Sequence, residues 1–293
     1  MAGTSGNTYG IIRSDRGYFL LGRSTTGLLT GVVLPLQDGS GVSFPPKFLD
    51  VPGTANNVQD VTYYNGLYYP SVRTAVDVVG SWFTTANLNA WFFSRGVLPT
   101  DAGWDDLSVV TGGAIYSDGH RAIGLIGIKG DSFMISSRQG DIVRCQMSFL
   151  GASKSELIWE NITPVTAKRA AWDSVTFVSG VSGVTDFSIS VMNAAGPNPI
   201  MGDGAGTAVT EINAGKPRFT ISLTVDARGV PPAMGVPIVF TILPPGGTLV
   251  TFTASTPRID DPDNLRKQGV RTSQSYQVIC ESPDGSTNGL VLS

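Results

Sequence analysis

Few side chains in this chain of 293 residues could do chemistry. The single histidine, His120, lies in the segment SDGHRAIG, and a serine–histidine–carboxylate arrangement would have to use it. No GxSxG segment occurs to supply the nucleophile. We therefore interpret His120 as a turn or interface residue. The sequence predicts that the protein is not an enzyme and that it has no catalytic residues.

The patterns that could hold a ligand are incomplete. Residues 260–264 read DDPDN, but the glycine and the closing glutamate of a calcium-binding loop are missing. The glycine run GDGAG at 202–206 is not followed by a Lys-Ser/Thr pair or by a helical pattern, as a phosphate-binding loop would be. Cys145, Cys280 and His120 are too few for a metal site. The sequence therefore predicts no metal and no cofactor.

An aromatic segment, TYYNGLYYP at 62–70, could bind a ligand by stacking. Tyrosine rings stack on sugars or bases in many binding modules. The same tyrosines are also typical of a strand that alternates between two faces, or of a contact between proteins. We favour the second interpretation and keep a carbohydrate-binding function as an alternative.

The composition favours a protein that contacts other proteins. Charged residues make up 15% of the chain, against about 25% in an average globular protein. The net charge of −3 predicts neither nucleic-acid binding nor membrane binding by the chain alone. The first residues, MAGTSGNTYGIIR, lack the pattern of a signal peptide, and no apolar stretch is long enough to cross a bilayer.

The two cysteines lie within alternating apolar patterns. This placement favours two buried free thiols in a reducing cytoplasm. A disulfide between Cys145 and Cys280 remains open at this stage, because separation along the chain does not give separation in space.

Strand patterns dominate the chain. Apolar and small polar side chains alternate in many segments, which predicts strands with one buried and one polar face. The segments are DIVRCQMSFL (141–150), DSVTFV (173–178), VTDFSISVMN (184–193), PRFTISLTVD (217–226), VPIVFTI (236–242), GTLVTFTA (247–254) and SYQVICE (275–281). Such strands indicate a mainly β protein, an antiparallel β-sandwich or β-barrel.

Turn residues separate these strands. PPGG at 244–247, GVSG at 180–183 and the segment 136–141, which contains Gly140, each lie between two strand patterns. We interpret all three as hairpin connections.

One helix is predicted, over residues 84–95. The threonine pair at 84 and 85 offers a hydroxyl cap, and Gly96 can end the helix. Three apolar residues fall at i, i+3 and i+4 and form a stripe that a sheet must cover: Leu88, Trp91 and Phe92.

Two segments lack a clear pattern. We assign residues 1–57 to an N-terminal arm with the first strands, and residues 58–293 to a β-sandwich domain with an extended loop near 254–274. Long segments of this kind are often functional, for example in reaching a neighbouring subunit.

The order of these features resembles the tail tube proteins of long-tailed bacteriophages, which are related to the tube component of type VI secretion. VVGSWF (78–83) leads into the predicted helix, and GDSFMISSRQGDIVRCQMSFLGA (130–152) is similar to the strand–turn–strand of the family. AWDSVTFVSG (171–180), TDFSISVMN (185–193) and PRFTISLTVD (217–226) follow in the order of the family. The resemblance covers roughly residues 58–255.

The resemblance implies a tail-tube β-sandwich with one flanking helix and long loops. It implies a structural virion protein that forms hexameric rings, which stack into a tube and conduct DNA into the host without binding it specifically. Its partners would be further copies of itself and other tail proteins: a sheath if the tail is contractile, the tape measure, the baseplate and the terminator. The protein would be found in the virion tail, and in the host cytoplasm during assembly.

A conduit for DNA should have polar, mildly acidic strands towards its lumen. We expect a polar strand face that points away from the core to line the lumen or to contact a neighbouring subunit: Ser188, Ser190, Thr220, Ser222 and Thr224. The alternatives are another tail component with the same fold, such as a terminator, baseplate or hub ring protein, and a carbohydrate-binding adhesin.

Overall fold

The structure is a computed structural model. It describes residues 18–24, 29–35, 37, 41–43, 49–51, 61–63, 71–93, 110–113, 122–126, 129–151, 153–157, 167–199, 209–213, 215–263, 273–282 and 288–293.

The strands in chain order are β1 (Tyr18–Ser24), β2 (Leu29–Pro35), β3 (Gly41–Ser43), β4 (Leu49–Val51), β5 (Val61–Tyr63), β6 (Ser71–Asp77), β7 (Val110–Gly113), β8 (Ala122–Ile126), β9 (Lys129–Arg138), β10 (Arg144–Leu150), β11 (Ser153–Leu157), β12 (Val175–Ser179), β13 (Val184–Met192), β14 (Gly196–Pro199), β15 (Val209–Asn213), β16 (Arg218–Asp226), β17 (Ile238–Ile242), β18 (Val250–Ala254), β19 (Pro257–Asp263), β20 (Ser273–Cys280) and β21 (Leu290–Leu292). The helical elements are α1 (Thr85–Leu88), a π-helix (Asn89–Phe93) and a 3₁₀ helix (Trp172–Ser174).

Two antiparallel sheets form the sandwich. The large sheet has eight strands in the order β19-β20-β16-β13-β9-β10-β6-β3, and the small sheet has four in the order β12-β17-β18-β21. A separate sheet has the order β11-β8-β7-β1-β2, and β14-β15 and β4-β5 form two-stranded ladders. The predicted fold class is confirmed: the protein is mainly β, with an antiparallel sandwich and one short α-helix.

The core lies between the large and small sheets. One row of register partners crosses six strands of the large sheet and is fully buried: Val278, Ile221, Ile189, Ile135, Cys145 and Val76. Phe187 of the large sheet meets Phe240 of the small sheet with ring centroids 6.1 Å apart, and Phe240 stacks on Phe252 at 4.8 Å. Aromatic rings therefore join the two sheets directly, as the alternation of buried positions requires.

The helix closes one end of the core. The Thr84 hydroxyl accepts the Asn87 amide at 3.2 Å, so the predicted hydroxyl cap is present. The three residues of the predicted stripe are all buried: Leu88, Trp91 and Phe92.

The end of the helix differs from the predicted span of 84–95. The α-helix ends at Leu88 and continues as a π-helix to Phe93, while residues 94–96 lie outside the described part of the chain. The rings of Phe133, Phe219 and Phe252 each approach Phe93 with centroids 5.8 to 6.2 Å apart. Three consecutive aromatic residues are buried because this end is enclosed on more than one side, which an amphipathic α-helix would not allow.

Two of the three predicted hairpins are confirmed. Residues 244–247 connect β17 to β18, and residues 139–143 connect β9 to β10. The hairpin predicted at 180–183 is wrong, because β12 pairs with β17 while β13 lies between β9 and β16. Gly180 and Gly183 do have positive φ, but the link crosses from the small sheet to the large one. A glycine turn alone does not distinguish a hairpin from such a crossover.

The segments assigned to an arm and to a loop differ from the prediction in part. Within 254–274, residues 257–263 form β19 and pair with β20. A strand with a proline and several acids is tolerated there because β19 is an edge strand of the large sheet.

Within 1–57, β3 pairs with β6, and Gln37 donates its backbone N–H to the Ala75 carbonyl at 2.7 Å. Part of the predicted arm is therefore an edge of the large sheet.

Both cysteines are buried free thiols, as favoured. Three strands, β9, β13 and β16, separate β10 from β20 in the large sheet, so Cys145 and Cys280 lie roughly 19 Å apart. This distance excludes the disulfide that was left open. Burial raises the pKa of Cys280 to about 12 and raises the pKa of Cys145 well above its ordinary value.

Candidate assembly surface

The outer side of the large sheet carries a field of small polar side chains, which we call the polar face. Its residues alternate with the buried ones along five neighbouring strands, because successive side chains of a strand point to opposite sides. The rows of register partners are Gln277–Ser222–Ser188–Ser136, Thr220–Ser190 and Ser275–Thr224. The polar face thus crosses the centre of the large sheet, with Met134 and Ile279 at the two ends of the Thr220–Ser190 row.

The five residues predicted as a lumen or interface face lie together on this surface. Ser188 is the register partner of Ser222, and Ser190 is the partner of Thr220, while Thr224 lies one row further along β16. Ser222 is exposed and the other four are half-buried, whereas the residues between them on both strands are buried. All five hydroxyls therefore point away from the core. Whether they line a lumen or a subunit contact stays a prediction.

Hydrogen bonds between strands hold the hydroxyl groups in place. Thr224 Oγ1 lies 3.2 Å from Ser275 Oγ, and Ser132 Oγ lies 2.7 Å from Ser148 Oγ. The Ser148 hydroxyl is also within 3.2 Å of Asp131 Oδ2, to which it can donate. These bonds partly satisfy the hydroxyls within the sheet, so the polar face is smooth and weakly reactive.

The charges around the polar face are of both signs, and the mild acidity expected of a lumen stays a prediction. The exposed arginines on the outer side of the large sheet are Arg73, Arg138, Arg144, Arg218 and Arg258, and Asp186 is an exposed carboxylate on the same side. Two of the arginines are paired with exposed carboxylates, Arg144 with Asp141 at 3.4 Å and Arg258 with Glu281 at 3.2 Å. Asp131 and Asp226 are half-buried, and each accepts a backbone N–H, from Ala195 at 3.1 Å and from Arg228 at 3.0 Å. The hydroxyl centre on β13 and β16 is neutral, and charged side chains of both signs surround it.

Asp77, the last residue of β6, is a buried carboxylate near the β3 edge of the large sheet. Asp77 lies 2.9 Å from Arg169 through Oδ2 and accepts Gln37 Nε2 through Oδ1. The side chain of Asp77 is 9% exposed, while that of Arg169 is 58% exposed. Asp77 therefore joins three separate segments of the chain, and it fixes the course of the segment at Gln37 beside β6.

The edges of the large sheet are the short strand β3 and the strand β19. An edge strand has backbone N–H and C=O groups that another strand can pair with. Strand β19 pairs with β20 on its inner edge, with a register shift between Asp260 and Asp263. Strand β3 has three residues without charge, Gly41–Ser43.

The other sequence candidates lie mostly outside the described residues. This is the case for His120, for the glycine run at 202–206 and for most of the aromatic segment 62–70, of which only residues 62 and 63 are described, within β5. Residues 260–263 are in β19, and Asn264 is not described. Within the described part of the chain, no three His, Cys, Asp or Glu residues are grouped to hold a metal ion. No helix of that part has the length and apolar character to cross a membrane.

Sequence reasoning missed the width of the polar face. Ser136 on β9 and both Ser275 and Gln277 on β20 belong to it, although they are far away in sequence from β13 and β16. The alternation of apolar and polar residues in β9 and β20 can be read from the sequence. The missing information was the strand order, because a local pattern gives the two sides of a strand but not its neighbours.

No protein-family model matches this chain, and no curated protein matches it.

Proposed function

We propose that this chain is a structural subunit of a bacteriophage tail tube, which forms stacked hexameric rings and conducts DNA into the host. The polar face is the observation that supports this proposal most. A wall along which DNA slides needs polar groups that keep it hydrated without sites that retain phosphates. Small hydroxyls have this property because they are compact and uncharged, and two pairs on this face, Thr224–Ser275 and Ser132–Ser148, are already hydrogen-bonded to each other.

The placement of charge fits this role in a specific way. The neutral hydroxyl centre on β13 and β16 is the part of the polar face that we assign to the lumen. Arg144 and Arg73 lie two and three strands away from β13, towards the β3 edge, where we place the contact with the next subunit. Arginine favours such contacts, because its guanidinium can bind a carboxylate with two hydrogen bonds.

The open edges fit a ring. The eight strands of the large sheet span roughly 34 Å from β19 to β3. Joining the β3 edge of one subunit to the β19 edge of the next would extend the sheet around the ring and remove both exposed edges. Further tail proteins would then contact the outside and the ends of the stacked rings.

Electron microscopy tests the assembly. The purified protein at high concentration should form hexameric rings or tubes in negative stain. A monomer that persists at every concentration would contradict the proposal.

Thiol labelling tests the assigned face. Because the native thiols are buried, a Ser222→Cys variant has one accessible thiol against a low background. A bulky maleimide–polyethylene glycol should label it quickly in the dissociated protein and at least about tenfold more slowly in intact tubes, where the reagent enters poorly. Equal rates in the two states would place Ser222 on the outside of the tube and contradict the assignment.

A further inference from the structure

The hairpin β14–β15 follows directly on the pairing of β13 with β16. Met192 is the register partner of Arg218 at the end of that pairing, and Gly196 is the partner of Asn213 where β14 and β15 begin to pair. Three residues separate β13 from β14, while four separate β15 from β16. Unequal numbers of residues interrupt a regular ladder, as they do at a β-bulge. The hairpin is therefore a two-stranded unit distinct from the large sheet.

The junction between the hairpin and the large sheet consists of residues 193–195 and 215–217, and we call it the hinge. Neither β14 nor β15 pairs with a third described strand, and neither packs extensively against another described helix or strand. Among the described elements, the hinge therefore sets the direction of the hairpin.

Asp131 of β9 holds one strand of the hinge. It is the residue left without a register partner where the pairing of β9 with β10 shifts, and such a bulge re-aims the side chain of its extra residue. The Asp131 carbonyl accepts the Asn193 amide at 2.7 Å, and Asp131 Oδ1 accepts the Ala195 amide at 3.1 Å. We call these two hydrogen bonds the latch.

Two features of the hinge are unfavourable while the latch is closed. Ala194 has a φ of 48°, the only positive φ of a non-glycine residue in the described part of the chain, and an L side chain rarely adopts it. The side chain of Asn193 is fully buried, and its Oδ1 has no hydrogen-bond partner among the described residues, although Nδ2 donates to the Gly130 carbonyl at 3.0 Å. Strained backbone persists only where the surrounding contacts impose it, and it concentrates where proteins switch conformation.

The second strand of the hinge packs directly on the first. A Cβ on Gly215 would lie 2.6 Å from the Ala194 carbonyl oxygen and 3.1 Å from the Asn193 carbonyl oxygen. Both neighbours are backbone atoms, so only glycine fits this approach. The bulge at Asp131, the strained Ala194 and the unsatisfied Asn193 thus meet at one closely packed point, and departures from local rules of this kind are expected at functional sites.

We propose that the hairpin β14–β15 is hinged and has two positions. In the latched position, Asp131 holds Ala194 in its strained conformation. In the released position the latch opens, Ala194 returns to negative φ and Asn193 Oδ1 reaches water. These gains oppose the loss of the latch, so the hairpin can change direction without unfolding its own ladder. This behaviour belongs to the single chain and does not depend on the proposed tube.

Amide hydrogen exchange of the full-length protein, measured by nuclear magnetic resonance, tests the hinge because a protection factor reports how often an amide opens. The variants are Asp131→Ala, Ala194→Gly and a matched control, Asp226→Ala. Asp226 is also a half-buried carboxylate of the large sheet that accepts a backbone amide, from Arg228 at 3.0 Å, but it lies at the other end of β16. Circular dichroism and thermal unfolding check that all the proteins fold alike.

The two hinge variants should act in opposite directions. Asp131→Ala should lower the protection factor of the Asn193 amide at least about tenfold, because it removes a hydrogen bond to a carboxylate. Ala194→Gly should raise that protection factor at least about threefold, since glycine adopts positive φ without strain. The amides that pair β14 with β15 should stay within about twofold of the wild type in both variants, and the control should leave Asn193 within about twofold.

A purely structural role of Asp131 would give the first change without the second. An unchanged or lowered protection factor of Asn193 in Ala194→Gly would therefore overturn the inference. A joint loss of protection at Asn193 and throughout β14 and β15 in Asp131→Ala would also overturn it, because the hairpin would then unfold instead of turning. An unchanged Asn193 in Asp131→Ala, or an equal effect of the control, would have the same consequence.

Discussion

Gly130, in β9, is the place where the helix lies closest to the large sheet. A Cβ at this position would be 2.4 Å from the Trp91 carbonyl oxygen and 2.7 Å from Cε1 of Phe92. The carbonyl is backbone, so it cannot rotate away as the end of a flexible side chain could. A Gly130→Ala variant must therefore push the π-helix away from β9 or distort the strand.

The size of the effect follows from these distances. The carbonyl would have to move by about 1 Å to reach an ordinary contact of 3.4 Å. Overpacking of this kind costs about 1–3 kcal/mol. The lower entropy of the unfolded alanine chain offsets about 0.4–1 kcal/mol of that cost. We expect a net loss of about 1 kcal/mol, and at most about 2.6 kcal/mol, in the free energy of unfolding. A loss of about 1 kcal/mol corresponds to a decrease in Tm of roughly 2–4 °C for a domain of this size.

A matched glycine provides the control. A Cβ on Gly196, at the start of β14, would have no heavy atom within 4 Å. Gly196→Ala should therefore change the free energy of unfolding by less than about 1 kcal/mol in either direction. Urea denaturation followed by tryptophan fluorescence measures both variants against the wild type. If Gly130→Ala were as stable as Gly196→Ala, the close packing of the π-helix on β9 would be refuted.

Three further predictions concern buried groups. The thiols of Cys145 and Cys280 should not react with an aromatic disulfide reagent in the native protein at pH 8, because burial raises both pKa values; reaction faster than global unfolding would contradict this. A double-mutant cycle of Asp77→Asn and Arg169→Met should give a coupling below about 1 kcal/mol, since the Arg169 side chain is 58% exposed; a coupling above about 2 kcal/mol would contradict it. Trp82→Phe should lower the free energy of unfolding by about 1–3 kcal/mol in urea, because the indole N–H donates to the Asp77 carbonyl at 2.7 Å; an unchanged midpoint would count against that bond.

The faces of the strands could be predicted from the sequence because they depend on local order. In β16 each residue that the period-two pattern assigned to the core is buried, from Phe219 to Val225. The same holds for β13, where Phe187, Ile189 and Val191 are buried. A side chain on a strand points to one side or the other whatever its neighbours are.

The arrangement of the strands could not be predicted in this way. The glycine link at 180–183 has the residues of a hairpin, but the sheet that each flanking strand joins is decided by long-range packing. Phe177 of β12 contacts both Phe187 and Phe240, so β12 is held in the small sheet by rings that are far away in sequence. The end of the helix is a similar case, because the rings around Phe93 come from both sheets.

The outer sides of the two sheets carry different kinds of side chain, and this difference limits how soluble the protein can be as a monomer. A small monomer usually stays soluble by covering both outer sides with charged side chains and by avoiding large uncharged patches. Here charged side chains of both signs surround the hydroxyl centre of the polar face, while strands β12, β17, β18 and β21 of the small sheet contain no charged residue. An uncharged sheet of valine and threonine is an aggregation hazard unless a specific partner covers it. The low charge of the chain, 15%, is what the proposed assembly predicts, because surfaces covered by neighbouring subunits need few charged side chains.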